Sequence, residues 1–247
     1  MRSIAFPFLL VGLVSACSGK QTFPATDASA PPDDATSPAD DGPTPIFQDS
    51  TIPDGSPPPT DGKPSPVNLI PNGDFEQGNT LFGSDYAYAT TNTLEGQYTV
   101  GTNGQAFNGA LVAAGDHTSG AGKMFIGNGK ATPDRVWFTT TISVQPNTTY
   151  YFEAFVMNLC CTAASGVGDG VNPVGPSVLS FYANGQLLGT RTSTKLGVWE
   201  GLTTNWDSGS STTVDLKLVN SNTVALGNDF AVDDVYLGTV STVLPPN

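Results

Sequence analysis

Asp229-Phe230-Ala231-Val232-Asp233-Asp234-Val235-Tyr236-Leu237-Gly238, near the end of a 247-residue chain, decides how the rest is read. β-branched and aromatic residues dominate it, and a polar Gly227-Asn228 precedes it, so it reads as a strand. Neighbours in a strand point to opposite faces. Strict alternation puts Phe230, Val232, Asp234 and Tyr236 on one face and Ala231, Asp233, Val235 and Leu237 on the other. Whichever face is inward, one Asp stands among apolar neighbours. An ionised carboxylate there is costly unless it meets a cation or several donors. A bound metal ion is the simplest remedy; an Asp at the rim, bonded to backbone N–H groups, is the alternative.

Working outward, residues 67–240 read as β throughout. Tyr86–Thr91, Gln97–Gly101 and Lys123–Gly127 are candidate strands, with the loop-rich Asn103–Gly122 before the last. Arg135–Val144 alternates, with Val136, Phe138, Thr140, Ile142 and Val144 on one face and Trp137, Thr139, Thr141 and Ser143 on the other. Thr149–Asn158 follows the Pro146-Asn147 turn. Val178–Ala183 and Gln186–Thr190 flank Asn184-Gly185, a strong hairpin signal. Val198–Asn205 and Thr212–Val219 complete the set; in the latter Val214, Leu216 and Leu218 face in, Asp215 and Lys217 out. No window carries a helical period. Nine or ten short strands joined by Gly- and Asn-rich turns predict an all-β, two-sheet antiparallel sandwich in one domain over 67–240.

The chain before this domain is of two other kinds. Residues 1–16 form a targeting segment, with Arg2 as its positive end and Ile4–Val14 as an apolar run too short to span a bilayer stably. Val14-Ser15-Ala16-Cys17 resembles the bacterial lipobox, which implies cleavage before Cys17 and its acylation; an ordinary secretory signal is the alternative. Several acyl chains, at about 0.8 kcal/mol per buried CH₂, hold a protein to a membrane far better than one. Ser18, rather than Asp, after the Cys implies an outer-membrane lipoprotein, exported and anchored through lipid alone. Residues 17–66 then form the lipidated N-terminus and a linker. Twelve of the twenty Pro and eight of the eighteen Asp fall between Lys20 and Pro66, a composition that forms no core. Extended at about 3 Å per residue, it is a spacer on the order of 100 Å long. Residues 241–247 read as a short C-terminal tail.

The net charge of −13 argues against nucleic acid, whose phosphates need a basic surface. Residues 67–247 hold fourteen Asp and Glu against six Lys and Arg, which suits a soluble surface and divalent cations. Besides Cys17 there are only Cys160 and Cys161. In an oxidising compartment they suggest a vicinal disulfide stiffening a loop, with two free thiols as the alternative. A single histidine, His117, excludes a multi-histidine zinc site, and no Gly-x-Ser-x-Gly elbow accompanies it. It reads as a surface-loop histidine, with ligand contact as the alternative. The four Glu (Glu76, Glu95, Glu153 and Glu200) lie on separate strands or turns, which disfavours the paired carboxylates of a glycosidase.

Two end motifs carry a resemblance. Asn68-Leu69-Ile70-Pro71-Asn72-Gly73-Asp74-Phe75-Glu76-Gln77-Gly78 and Phe230-Ala231-Val232-Asp233-Asp234-Val235 together resemble the galactose-binding-domain-like jelly roll. They are most similar to carbohydrate-binding modules of families four, nine and twenty-two. The Tyr150–Val156 strand, the Asn184-Gly185 hairpin and Trp199 match between them. The resemblance implies a structural calcium ion where first and last strands meet, held by Glu76 and Asp233, with Asp74 and Asp234 as neighbours. Calcium takes six to eight oxygens, which agrees with such a set. Asp116 reads as a turn residue or a further ligand. The family places its glycan on a concave sheet face or at loop tips.

For ligand contact, alternation sets Trp137 outward in a row of Thr139, Thr141 and Ser143, a flat apolar ring beside hydroxyls that suits a sugar. Trp199, Tyr86 and Tyr88 are further candidates. The expected function is a surface-tethered, non-catalytic glycan-binding lipoprotein with structural calcium. The alternatives are a structural or adhesive cell-surface protein with protein partners, and, further off, a polysaccharide hydrolase.

Overall fold

The computed structural model describes residues 66–243. The expected signal segment, Cys17 with its expected lipidation, and nearly all of the expected linker lie outside the described residues. No helix among the described residues is long and apolar enough to cross a membrane.

Ten strands form two sheets. In chain order they are β1 (Ala87–Tyr88), β2 (Gln97–Gly101), β3 (Met124–Gly127), β4 (Arg135–Ser143), β5 (Thr149–Asn158), β6 (Val178–Ala183), β7 (Gln186–Thr192), β8 (Glu200–Asp207), β9 (Thr213–Asn220) and β10 (Phe230–Gly238). One sheet runs β1-β2-β3-β10-β5-β8 and the other β4-β9-β6-β7. All pairings are antiparallel except β1 with β2. The fold is thus the expected all-β jelly-roll sandwich. The strand expected over Tyr86–Thr91 shrinks to two residues, because the chain turns away after Tyr88. A single helical turn, α1 (Gly104–Phe107), is capped by the Asn103 side chain accepting from the Gln105 amide.

Apolar side chains from the inner faces of both sheets fill the sandwich, among them Phe152, Phe181, Leu216, Leu218, Phe230 and Val232. A second, smaller core lies on the other face of the six-stranded sheet. There Phe107, Leu111, Met124, Ile126, Met157, Leu159 and Ala231 pack together. The large sheet is therefore covered over part of both faces, which is why β3, β5 and β10 read as nearly continuous apolar runs.

Backbone bonds fasten the first described residues to the last strand. Leu69 N–H donates to Leu237 O at 2.8 Å, and Val235 N–H donates to Gly73 O at 2.8 Å. Asn68 completes the seam, donating to Val235 O and accepting from the Leu237 amide. Any side chain at position 73 would collide with Val235 O, so this approach requires glycine.

Bulges correct the sequence reading in two places. In β10 the register slips between Asp233 and Tyr236, with Asp234 at φ 48°. Phe230, Val232, Val235 and Leu237 therefore all face the sandwich core, which strict alternation does not allow. In β4 the register slips between Arg135 and Trp137 and again between Thr139 and Ile142, with Thr141 at φ 62°. The first slip turns Trp137 inward: it is 1% exposed and packs 6.4 Å from the Phe152 ring.

The described residues beyond β10, up to Val243, are bonded to the domain. The amides of Thr242 and Val243 donate to Glu153 Oε2 at 2.8 and 3.3 Å, and the Ser241 and Thr242 hydroxyls also donate to this carboxylate. Glu153 is fully buried beneath them. The folded domain thus extends to Val243.

Candidate functional site

Three places bring polar or aromatic side chains together. The first is the outer face of the four-stranded sheet. Phe138 of β4 lies opposite Lys217 of β9, and Lys217 lies opposite Tyr182 of β6, which in turn pairs with Leu187 of β7. One row, Phe138–Lys217–Tyr182–Leu187, therefore crosses the sheet at right angles to its strands. The inward residues beside them (Leu216, Leu218, Phe181 and Ala183) are in the core, so alternation turns this row outward. Phe138, Lys217 and Tyr182 are half-buried and Leu187 is exposed. The Lys217 ammonium lies 4.7 Å from the Tyr182 ring centroid, and the Arg135 guanidinium 4.0 Å from that of Phe138. A hollow of about 210 Å³ opens here, walled by Arg135, Phe138, Thr140, Asn184, Asp215 and Lys217.

The Asn184-Gly185 turn, with φ of 47° and 81°, fixes the β6–β7 register that presents Tyr182. Asn184 also binds β9, donating its amide to Asp215 O and accepting from the Asp215 amide. Asp215 Oδ1 in turn accepts from the Thr141 amide at the β4 bulge. Aromatic rings beside hydrogen-bonding groups on a flat, open face suit a sugar ring, which has one apolar and several polar sides.

The second place is where the two end motifs meet. The loop 115–122 is folded around Asp116, whose carboxylate accepts from the amides of Ser119 (2.8 Å) and Gly122 (2.7 Å) and from the Ser119 hydroxyl. Desolvation pushes the Asp116 pKa up, but these donors outweigh it and hold it below the ordinary value. Glu76 Oε1 accepts from the Lys123 amide at 2.6 Å, and the Lys123 ammonium donates to Glu76 O. A side chain at Gly122 would collide with Glu76 Oε1 and crowd Asp116 Oδ2, so these two carboxylates converge on that glycine.

Asp233 is fully buried on the outer side of β10 and accepts from the His117 amide and the Asp234 amide. Burial, then the charges of Asp234 and Asp116, push its pKa up to about 7 despite those two bonds. A buried carboxylate in that condition is short of positive charge. The oxygen donors of Glu76, Asp116 and Asp233 are of the kind a hard divalent cation such as calcium takes, but the three carboxylates do not all lie within 4.8 Å of one another. Asp74 is exposed, accepting from the Glu76 amide, and Asp234 is taken by His117 Nδ1 (2.6 Å) and the Thr118 hydroxyl.

Beside this region is a larger cavity of about 520 Å³, lined by Asn68, Asn72, Asp74, Gln77, His117 and Phe155 among others. The His117 ring stacks on Phe155 at 3.5 Å. Two of the cavity's side-chain amides, those of Asn68 and Asn72, are already spent. Asn68 is bonded to β10 and the Ile70 amide, and Asn72 holds the turn at Gln77, Gly78 and Thr80.

Third, Cys160 and Cys161 are joined in a vicinal disulfide across a cis peptide bond, buried in the second core. Their sulfurs and the Asp229 carboxylate lie within 4.8 Å of one another, the one such trio of metal-type groups among the described residues. The sulfurs are bonded to each other, so this trio is not a metal site as it stands.

The aromatic candidates read from sequence are dispersed. Trp137 and Tyr86 are in the main core, at 1% and 4% exposure, and neither can touch a ligand. The Tyr86 ring packs on Phe230, with Lys130 over it at 5.4 Å, and its buried hydroxyl has no partner in hydrogen-bonding geometry. Trp199 is half-buried against the second core, its indole N–H donating to Gly115 O at 3.1 Å. Tyr88 is exposed on the edge strand, edge-on to Tyr98. Phe138 and Tyr182 were not singled out from sequence. The alternation Leu179, Phe181, Ala183 already implied an outward Tyr182, whereas Phe138 was hidden by the bulge.

No family model matches the chain. No curated protein matches it either. Among solved structures it is similar to a cyclase from Fischerella sp. TAU, at 15% identity over 72% of this chain and all of that one, with a TM-score of 0.44. A second is a family 16 carbohydrate-binding module, at 17% identity over 69% of this chain and 99% of that one, with a TM-score of 0.40. A third is the N-terminal tandem of CBM22-1 and CBM22-2 from Paenibacillus barcinonensis Xyn10C, at 14% identity over 76% of this chain, with a TM-score of 0.41. The chain spans about half the length of that tandem, at 49%. At such identities and TM-scores these likenesses fix neither family nor ligand.

Proposed function

We propose that this chain is a non-catalytic glycan-binding lipoprotein of the bacterial outer membrane, carrying its binding module on a Pro- and Asp-rich spacer anchored through Cys17. The observation that carries the glycan reading is the row Phe138–Lys217–Tyr182 across the open face of the four-stranded sheet. Sugar rings would lie against the Tyr182 and Phe138 side chains, while Asn184, Thr140, Asp215 and Lys217 offer hydrogen bonds around them. The face is built on paired strands rather than loops, which keeps it preorganised and lowers the entropy lost on binding.

In the same reading calcium is bound where the two end motifs meet. Glu76, Asp116 and Asp233 would hold it together with backbone oxygens. The ion would neutralise buried Asp233 and tie the loop 115–122 to β10. It would serve stability rather than the ligand.

A glycan array probed with the full chain, in calcium, tests the reading. Binding that is lost in Tyr182→Ala and kept in Tyr88→Ala supports it. Retention of all binding in Tyr182→Ala and Phe138→Ala, or absence of binding to any glycan, contradicts it.

A further inference from the structure

We propose that the glycan recognised by this face is acidic, with a uronate carboxylate held at the Lys217 ammonium beside Tyr182. The inference rests on the four-stranded sheet being the glycan face. Its basis is the unmatched charge in the middle of the row. Among the described residues, Lys130, Arg135 and Arg191 each have a carboxylate within 4.0 Å, on Asp134, Asp85 and Glu200. Lys217 has none, nor have Lys123, whose ammonium donates to Glu76 O, and Lys195; Lys217 is the one of these three that lies in the aromatic row, and its nearest carboxylate along the strand is only two residues away.

The strand geometry explains why. β9 lies between β4 and β6. Asp215 reaches toward β4, where its carboxylate accepts from the Thr141 amide at 2.8 Å. Lys217 leans the other way, over the Tyr182 ring of β6 at 4.7 Å. The two opposite charges, on one face of one strand, are thus directed apart. The acid is answered by a backbone amide and the base is left to an aromatic ring. A half-buried ammonium on an aromatic face, without a counter-ion, gains more from an anionic partner than from a neutral hydroxyl.

The ligand then has a definite chemistry. Its sugar ring lies against Tyr182 and its carboxylate meets Lys217, on the side away from Asp215. Arg135 is already held by Asp85 through Nε at 2.9 Å and through a second guanidinium nitrogen at 2.7 Å, so a single carboxylate is recognised rather than a dense polyanion.

The test is calorimetric titration of the full chain with oligomers of galacturonate, glucuronate and mannuronate, each beside its methyl ester, and with a neutral glucan oligomer. The expected result is that at least one free acid binds about tenfold or more tighter than its own ester. Lys217→Gln should erase that difference and leave the melting temperature unchanged. Equal affinity for every acid and its ester, or an acid preference that survives in Lys217→Gln, overturns the inference. If esters or the neutral glucan bind in that case, the glycan reading of the face stands and only its acidity is lost. If no oligomer binds, both fall.

Discussion

Lys217 and Tyr182 are direct partners in the β9–β6 ladder, with the ammonium 4.7 Å from the ring centroid on the open face of the smaller sheet. The pair stands in a row with Phe138, so that two aromatic side chains, from β4 and β6, flank Lys217 of the strand between them. Removing the Tyr182 ring should cost binding, not folding. Tyr182→Ala is expected to weaken glycan binding by tenfold or more, which is about 1.4 kcal/mol. Its melting temperature should fall far less than that of a core variant; affinity electrophoresis and thermal denaturation of one preparation measure both.

Trp137 gives the opposite pattern. It is enclosed by the main core, so Trp137→Ala should destabilise the domain by about 3–5 kcal/mol, the range for deleting a buried aromatic ring. At temperatures where the variant is still folded, its glycan affinity should match that of the parent. A selective loss of affinity with normal stability would return Trp137 to the binding face.

Strand positions were legible in the sequence because they depend on local signals. Asn184-Gly185 marked the β6–β7 hairpin, and Thr149–Asn158 is found as read. The facing of side chains was not legible wherever a bulge intervened. Thr141 and Asp234 adopt positive φ without being glycine or following a recognisable turn signal, and each reverses the alternation beyond it. The earlier slip in β4, between Arg135 and Trp137, is what turns Trp137 inward and Phe138 outward against strict alternation. The meeting of the end motifs was foreseen, since Gly73 and Val235 belong to them. The part played by Asp116 was less clear, because an Asp–x–x–Ser loop is equally a plain turn.

The calcium proposal predicts a chelator effect. A ligand that binds only the folded state stabilises it by an amount that grows with its free concentration. EDTA should lower the melting temperature, excess calcium should restore it, and Asp233→Asn or Glu76→Gln should abolish the difference. Identical melting curves with and without chelator would remove calcium from the account.

Asp229 should make stability depend on pH. Burial pushes its carboxyl up to about 7, against an amide bond from Gly129. The folded pKa lies above the unfolded value near 4, so the folded state binds the extra proton between those limits. Its contribution is therefore full below about pH 4 and is lost as pH rises through about 7. Asp229→Asn keeps the acceptor for the Gly129 amide and cannot ionise. The stability of Asp229→Asn relative to the parent should rise by about 2–4 kcal/mol from pH 4 to pH 8 in urea denaturation. A constant difference across that range would contradict this.

The C-terminal segment should be part of the fold. Ending the chain at Val240 removes the donors from Ser241, Thr242 and Val243 and leaves the Glu153 carboxylate buried without them. The expected cost is about 2–4 kcal/mol, seen as a lower urea midpoint, and Glu153→Gln should recover part of it, since a neutral amide is cheaper to bury. No change on truncation would show that Glu153 finds other partners.

Backbone amide shifts during titration with a glycan that the array identifies test the central claim most directly. The account predicts that the largest changes fall at Phe138, Tyr182, Asp215 and Lys217, on the outer face of the four-stranded sheet. Changes confined to Asp74, Gln77, His117 and their neighbours, around the larger cavity on the other sheet, would contradict it.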